Sequence, residues 1–527
     1  MKKYNIVIAG GGFAGLYAAL YIDAAFEDRN TIDYKITVIR SKAIGTIGVG
    51  ESLAQGFIRE LISFGIDGKK FFKESGATFK LMGKFTNWHK PDESFIHPLV
   101  SSDRIFKVNP SLLNWWNEDY YTYMLYNNLD MHCLTLADVL LEDNLLPMND
   151  IDLIPFEKWF DRHPIEAFGI NFDASKSVEV IEEFIETNTG IELIDDKIVD
   201  WNLNSDTGFV ESLILENGQN IKGDFFIDST GFARLFGNKI FKSEWVDAKD
   251  IKQNSVSLIK GGIKYKSESE TIPIGTEITA MPEGWMFAIP LQHRIGSGYI
   301  HSSDISNIDD IRQQHINYWS NKGYKNLEPG PVLKWSPGYF KNPLQKNVLM
   351  LGLSEGFLDP LDSNALILTV TALKQFLYIL NPLLSEPFTE FQYTTFNEWR
   401  QEAYEWTKDV IKLMCSPSNS KLASPFWKHY KNNNIFPKRF RDTYSMLKFL
   451  KISGAPILAP FGMSSVMLFA RMYDLIDKNI VEKDYITKGE NWNAIGKQFM
   501  KDINEFNLRL KDKCELTQNQ WIEKNFK

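Results

Sequence analysis

The stretch Tyr4-Asn-Ile-Val-Ile-Ala9-Gly10-Gly11-Gly12-Phe13-Ala14-Gly15 decides the fold. Tyr4 to Ala9 is a short, mostly apolar run closed by a glycine turn, which reads as a buried parallel strand. Gly10, Gly12 and Gly15 have the G-x-G-x-x-G spacing. The first glycine permits a sharp turn, the second lets the backbone approach a pyrophosphate, and the third lets helix pack on strand. Phe13 to Phe26 is rich in Ala and Leu and predicts a helix; Lys35 to Ile39 predicts the next strand. Strand, glycine turn, helix and strand form a dinucleotide-binding unit, with the pyrophosphate at the helix N-terminus. The second strand ends on Arg40, where an Asp or Glu commonly holds a ribose hydroxyl. A basic residue there suits a phosphate, as with NADP, so this stretch alone leaves the dinucleotide open.

Further along, Val178 to Glu186 predicts a helix. Ile191 to Leu203, Phe209 to Leu215 and Asn220 to Ile227 predict strands separated by the polar turns Ser205-Asp206 and Asn217-Gly218. Val348 to Leu353 predicts another buried strand. The most apolar long run, Ala365 to Leu384, is interrupted by Lys374, Gln375, Asn381 and Pro382, so it reads as a buried helix rather than a membrane span. After about residue 385 the texture becomes mixed aromatic and basic with helical spacing. The expected division is therefore 1–385, with a substrate region interleaved, and a mostly helical 386–527.

The 527 residues are 44% hydrophobic, enough for a substantial core. A formal net charge of −9 argues against broad nucleic-acid binding, which wants a basic face. Cys133, Cys415 and Cys514 form no CxxC pair, and the eight histidines form no HExxH pattern, so no metal site is expected. The sparse cysteines suit a reducing compartment, and the start of the chain leads directly into a strand rather than a signal peptide. The expectation is a cytoplasmic protein.

Six more stretches carry chemistry. Asp228-Ser-Thr-Gly231-Phe-Ala-Arg234 ends an apolar strand with an acid and a glycine turn. Thr46-Ile-Gly-Val-Gly50-Glu51-Ser52 sets two glycines beside a carboxylate. Lys84-Phe-Thr86-Asn-Trp88 has period two, which puts Lys84, Thr86 and Trp88 on one face and the lysine beside large aromatics. Phe95-Ile-His97-Pro98 offers a histidine for an aromatic pocket. Trp285-Met-Phe287-Ala-Ile289-Pro290 also has period two and predicts a half-buried strand. Phe357-Leu-Asp359-Pro360-Leu-Asp362-Ser363-Asn364-Ala365 opens the apolar helix, whose N-terminus suits an anion.

Taken with the glycine turn in their order along the chain, from about residue 4 to about residue 375, the stretches resemble the flavin-dependent halogenases of the tryptophan-halogenase type. The resemblance implies an α/β, hydroxylase-like FAD-binding fold with an inserted β-rich substrate region and a helical C-terminal region. It implies that Gly10, Gly12, Phe13, Ala14, Gly15, Arg40, Gly50, Glu51, Asp228, Leu351 and Gly352 hold FAD. It implies further that a separate flavin reductase supplies the cofactor reduced, that a halide at Ser363, Asn364 and Ala365 becomes hypohalous acid, that Lys84 receives it through a tunnel with Asp362 assisting, and that His97, Trp285, Phe287, Phe357 and Pro360 line the pocket of an electron-rich aromatic substrate. The implied partners include neither nucleic acid nor membrane, and a homo-oligomer is compatible with them. The chain departs from the family pattern at Phe287, where Trp is usual, and at Asp362, Asn364 and Ala365, where its tryptophan enzymes have Glu, Thr and Gly. Two other readings stay open: a one-component aromatic hydroxylase using NADPH, which Arg40 favours and Lys84 and the Trp285 stretch oppose, and an inactive FAD-binding protein, which the altered Asp362, Asn364 and Ala365 allow.

Overall fold

The strand Tyr4–Ala9 is central because its last four residues are apolar and buried on both faces. It pairs in parallel with Tyr34–Arg40 on one side and Phe225–Asp228 on the other. Glu192–Asp195 and Val348–Met350 extend the parallel set, and Leu344–Gln345 closes one edge antiparallel. The computed structural model describes residues 3–27, 33–43, 50–53, 57–99, 123, 126–127, 136–146, 168–379, 388–432, 460–473, 475, 490–512 and 514–526. The helix Phe13–Glu27 follows the glycine turn and buries Leu16, Tyr17, Ala18, Ala19 and Leu20 in the largest core.

Several expected strands are cut where the chain changes sheet. The run 191–203 is two strands: Glu192–Asp195 joins the parallel sheet, and Ile198–Leu203 joins a separate antiparallel meander. The run 220–227 likewise divides, and Asn220–Lys222 belongs to the meander. Asp224 sits at that break, accepting the Asn5 N–H at 2.8 Å. The expected strand from Val348 stops at Met350, because Gly352 takes φ +64 in the turn that follows. The apolar helix is Asn364–Ile379; residues 380–384 of the expected run lie outside the described residues, as do Thr46 to Val49.

A seven-stranded sheet forms the inserted region, in the order Pro329–Lys334, Ser255–Ile259, Ile295–His301, Gly284–Pro290, Gly275–Met281, Met82–Thr86, Ser94–Pro98. The strand Gly284–Pro290 is buried along its whole length, not on one face as its periodicity suggests. Trp285, Phe287 and Ile289 enter a core shared with C-terminal helices, while Met286 and Ala288 enter a second core with Ile311 and Trp319. A middle strand of a sheet covered on both sides has no solvent face.

The elements described after residue 388 are helices: Glu390–Met414, Pro425–Asn432, Met463–Met472, Glu490–Lys511 and Gln518–Phe526. A capping box of Thr389 and Gln392 starts the longest. The last helix packs back on the first half of the chain. Trp521 meets Phe79 edge-on at 4.7 Å, and Gln518 Oε1 accepts the Phe79 N–H at 2.6 Å. The α/β fold, inserted β-rich region and helical C-terminal region expected from the resemblance are the architecture observed.

Candidate functional site

At the glycine turn each glycine has a different reason to lack a side chain. Gly10 has φ +112, and a Cβ there would strike the main chain of Ser229; a Cβ on Gly15 would strike Gly10. A Cβ on Gly12 would meet nothing within 4 Å, so this residue leaves open space at the start of the helix. A close-packed turn with an open middle glycine fits a dinucleotide pyrophosphate. Gly352, with φ +64, lies against Ala14, and the Leu351 N–H donates to Asp228 O at 2.8 Å. The residues named for FAD at 10, 12, 14, 15, 351 and 352 therefore converge on one end of the parallel sheet.

Arg40 and Asp228 have other partners. The Arg40 guanidinium, nearly buried, pairs with Glu182 and with Glu186 at 2.9 Å, both on the helix Ala174–Asn188. Its charge is thus balanced within the protein by those glutamates. The Asp228 carboxylate accepts Thr230 N–H at 3.0 Å, Thr230 O–H at 2.7 Å and Phe236 N–H at 2.8 Å. These bonds build the turn after the strand; its burial pushes the carboxyl up. Gly50, with φ +101, lies against Ile289 and Leu291, at the end of the strand Gly284–Pro290. Next to it the half-buried Glu51 carboxyl is pushed up to about 7 by desolvation and by Asp173.

A second cluster forms where the strand Met82–Thr86 passes the loop before the helix Asn364–Ile379. Its lysine is Lys80, not Lys84. Lys80 is fully buried, with Nζ 3.5 Å from Asp362 Oδ1 and 3.0 Å from Ser363 Oγ. A Cβ on Gly83 would sit 3.1 Å from Asp362 Oδ1, so position 83 faces the carboxylate. Strand alternation then turns Lys84 to the opposite face, where it is half-buried and makes no ion pair among the described residues. Leu81 separates the strand Thr78–Lys80 from Met82–Thr86, and the chain changes sheets there, so Lys80 escapes the parity of Lys84. The shared face expected for Trp88 fails as well. Asn87 has φ 67, and Trp88 turns into the core, donating Nε1–H to Ile278 O at 3.0 Å.

Asp362 makes this contact from a left-handed backbone, at φ 51. His97 Nδ1 bonds its second oxygen, and His97 Nε2 lies 2.9 Å from Ser465 Oγ. Burial opposes ionisation of Asp362, but the neighbouring His97 and Lys80 win, and its carboxyl sits below the usual range. Burial drives the Lys80 ammonium down, against the attraction of Asp362. Asn364 is buried, and its amide donates to Asp359 O at 2.6 Å and Leu361 O at 2.8 Å. The side-chain N–H groups at 364 are thus committed to the loop. Anion donors there must come from the main chain of the first helical turn.

Asp359 lies beside Trp285. It is buried, accepts the Leu361 N–H at 2.5 Å, and its carboxyl is pushed up to about 7 by burial, with that bond and Trp285 opposing. Phe287 packs with Trp285 at 6.3 Å. Phe357 stands apart from His97: its ring meets Phe232 at 5.7 Å and Trp335 at 5.3 Å, on the side of the Asp228 turn. Pro360 is half-buried in the loop between. The His97 side is completed by Phe469, 5.6 Å away, and by Phe85 and Phe95. Sequence reasoning missed Lys80, Gly83, Ser465 and Phe469. Only Lys80 carried a signal: a charge enclosed in the apolar run Ala77-Thr-Phe79-Lys80-Leu81-Met82. No group of acidic, histidine or cysteine side chains suited to a metal occurs among the described residues, and none of their helices is long and apolar enough to cross a membrane.

The family model for tryptophan halogenase matches residues 5–450. Tryptophan 6-halogenase ThaL of Streptomyces albogriseolus is 25% identical over 449 residues, 80% of this chain and 78% of that protein. Tryptophan 7-halogenase RebH of Lentzea aerocolonigenes is 25% identical, covering 81% of this chain and 78% of its own length. Among solved structures, a tryptophan halogenase from Shewanella frigidimarina superposes with TM-score 0.81 at 22% identity, covering 99% of this chain and 97% of that one. The match over most of the chain, with a dinucleotide turn at one end of the sheet and a buried lysine and carboxylate at the helix entrance, places this chain in the tryptophan halogenase family, flavin-dependent halogenases that use reduced FAD and a halide.

Proposed function

We propose that Lys80, and not Lys84, is the lysine that delivers the halogen to an electron-rich aromatic substrate, with Asp362 as its partner. The observation that carries this is the buried contact of Lys80 Nζ with Asp362 at 3.5 Å and Ser363 at 3.0 Å. Bound reduced FAD supplies, with oxygen and halide, the electrophilic halogen. Gly10, Gly12, Phe13, Ala14, Gly15, Gly50, Leu351 and Gly352 hold that cofactor at the end of the parallel sheet. Main-chain N–H groups at Asn364 and Ala365, beside Ser363, hold the halide at the helix entrance. The strand Gly284–Pro290 separates the two clusters and keeps the ring away from the flavin. Lys80, with its ammonium disfavoured by burial, offers an amine that takes up halogen or hydrogen-bonds hypohalous acid. Asp362 then accepts the proton that the ring loses.

The pocket is bounded by the aromatics Phe85, Phe95 and Phe469, and 386–527 acts as the helical region closing it over the 1–385 module. We assign the chain to the cytoplasm, with a separate flavin reductase as transient partner. The test is Lys80→Ala beside Lys84→Ala, each assayed by mass spectrometry for bromination of indoles and phenols with supplied reduced FAD. Loss of product in the first and retention in the second is expected. The opposite pattern would return the role to Lys84.

A further inference from the structure

Asp362 is one carboxylate between two basic side chains, and each takes one oxygen. Oδ1 faces Lys80 Nζ at 3.5 Å, near the outer limit of a hydrogen bond, whereas Oδ2 is bonded to His97 Nδ1. An ionised carboxylate only accepts, so Nδ1 carries the hydrogen. Nε2 lies 2.9 Å from the Ser465 hydroxyl on the helix Met463–Met472, which can donate to it or accept from it and so holds the ring in either protonation state. Phe469, one turn along that helix, braces the imidazole edge-on. Lys80, Asp362, His97 and Ser465 are all buried. Without the imidazole, Oδ2 has no other side-chain partner among the described residues, and rotation of the short Asp362 side chain carries Oδ1 off Lys80.

We propose that His97, held by Ser465, is a positioning residue for halogen delivery: it turns the Asp362 carboxylate onto Lys80, and through it the C-terminal helical region reaches the delivering lysine. This rests on the role given to Lys80 above. It differs from a pocket-lining histidine, which acts on substrate binding and leaves the Lys80–Asp362 contact alone.

The test compares His97→Ala, Ser465→Ala and the double variant His97→Ala with Asp362→Glu, using holoprotein with reduced FAD, bromide and an indole. For His97→Ala, kcat falls about tenfold or more, KM for the indole stays within about twofold, and FAD binding is unchanged. Ser465→Ala falls less, in the same direction. A glutamate at 362, one methylene longer, reaches Lys80 without the tether, so the double variant recovers most of the lost kcat. A readout without turnover is acylation of Lys80 by a small amine-directed reagent, followed by peptide mass spectrometry. It quickens severalfold in His97→Ala, because the ammonium loses its carboxylate. A raised KM with unchanged kcat, no recovery in the double variant, or unchanged Lys80 labelling would each overturn the proposal. Lys80→Ala run in parallel separates the two readings. Full activity there overturns the delivery role itself, whereas its loss beside an unimpaired His97→Ala overturns only the positioning role.

Discussion

Replacing Gly83 with alanine tests the Lys80–Asp362 contact without touching either residue. Gly83 is not among the glycines with positive φ, so alanine costs no backbone strain there. Restricting the unfolded chain favours the folded state by about 0.4–1 kcal/mol. The new methyl would lie 3.1 Å from Asp362 Oδ1, 3.3 Å from Ile278 Cδ1 and 3.4 Å from Phe85 Cε2. The carboxylate is the tightest neighbour and must give by a few tenths of an ångström. Its contact with Lys80 is already 3.5 Å, so a small displacement ends it. A hydrogen bond to a charged group contributes about 1.5–3 kcal/mol. If that much is lost from the delivery step, kcat falls about ten- to a hundredfold. The assay is the initial rate of brominated indole at saturating reduced FAD, together with FAD affinity and thermal unfolding. Affinity for FAD should stay near that of the parent, since the glycine turn is untouched, and the melting temperature reports how far Ile278 and Phe85 give way around the new methyl. An unchanged kcat would refute the reasoning, because the enzyme would then tolerate a displaced Asp362.

Other consequences are open to direct measurement. The Asp359 carboxyl, raised from 3.8 to about 7, holds a proton in the folded state that the unfolded chain releases. Stability must therefore fall as pH rises from about 4 to about 7 and level off above, by at most about 4 kcal/mol at about 1.4 kcal/mol per pH unit. Asp359→Asn should flatten that curve in urea unfolding and be the more stable protein at pH 8; a curve as steep as the parent's would contradict the assignment. Arg40→Ala should destabilise the fold by stranding the mostly buried Glu182, the more exposed Glu186 remaining solvated, while leaving FAD affinity within about threefold, and a large loss of FAD binding would put Arg40 at a phosphate. Mixing oxidised holoprotein with NADPH in a stopped-flow instrument should give no fast bleaching of the flavin, because Arg40 is committed elsewhere; rapid bleaching would favour the hydroxylase reading. Bromide and iodide, less tightly hydrated and more easily oxidised, should outcompete chloride at a helix entrance altered at Asn364 and Ala365, and a clear chloride preference would reject this.

What the sequence determined by itself is what depends on local conformation. The spacing of Gly10, Gly12 and Gly15 between an apolar strand and a helix specifies a dinucleotide turn, because φ and close approach at those positions are properties of single residues. The loop Phe357 to Ala365 was legible as a helix entrance for the same reason, and period two correctly marked Trp285, Phe287 and Ile289 as one face. Only tertiary structure decided which lysine meets Asp362. Lys80 and Lys84 are equally plausible in a string of letters, but the change of sheet at Leu81 resets the alternation and turns one inward and the other away. Arg40 met two glutamates from a helix well over a hundred residues later in the chain, which no local pattern announces. Ser465 and Phe469 reach His97 from the far end of the chain. A long-range contact is set by how sheets and helices stack, and a residue's neighbours in sequence carry little information about that.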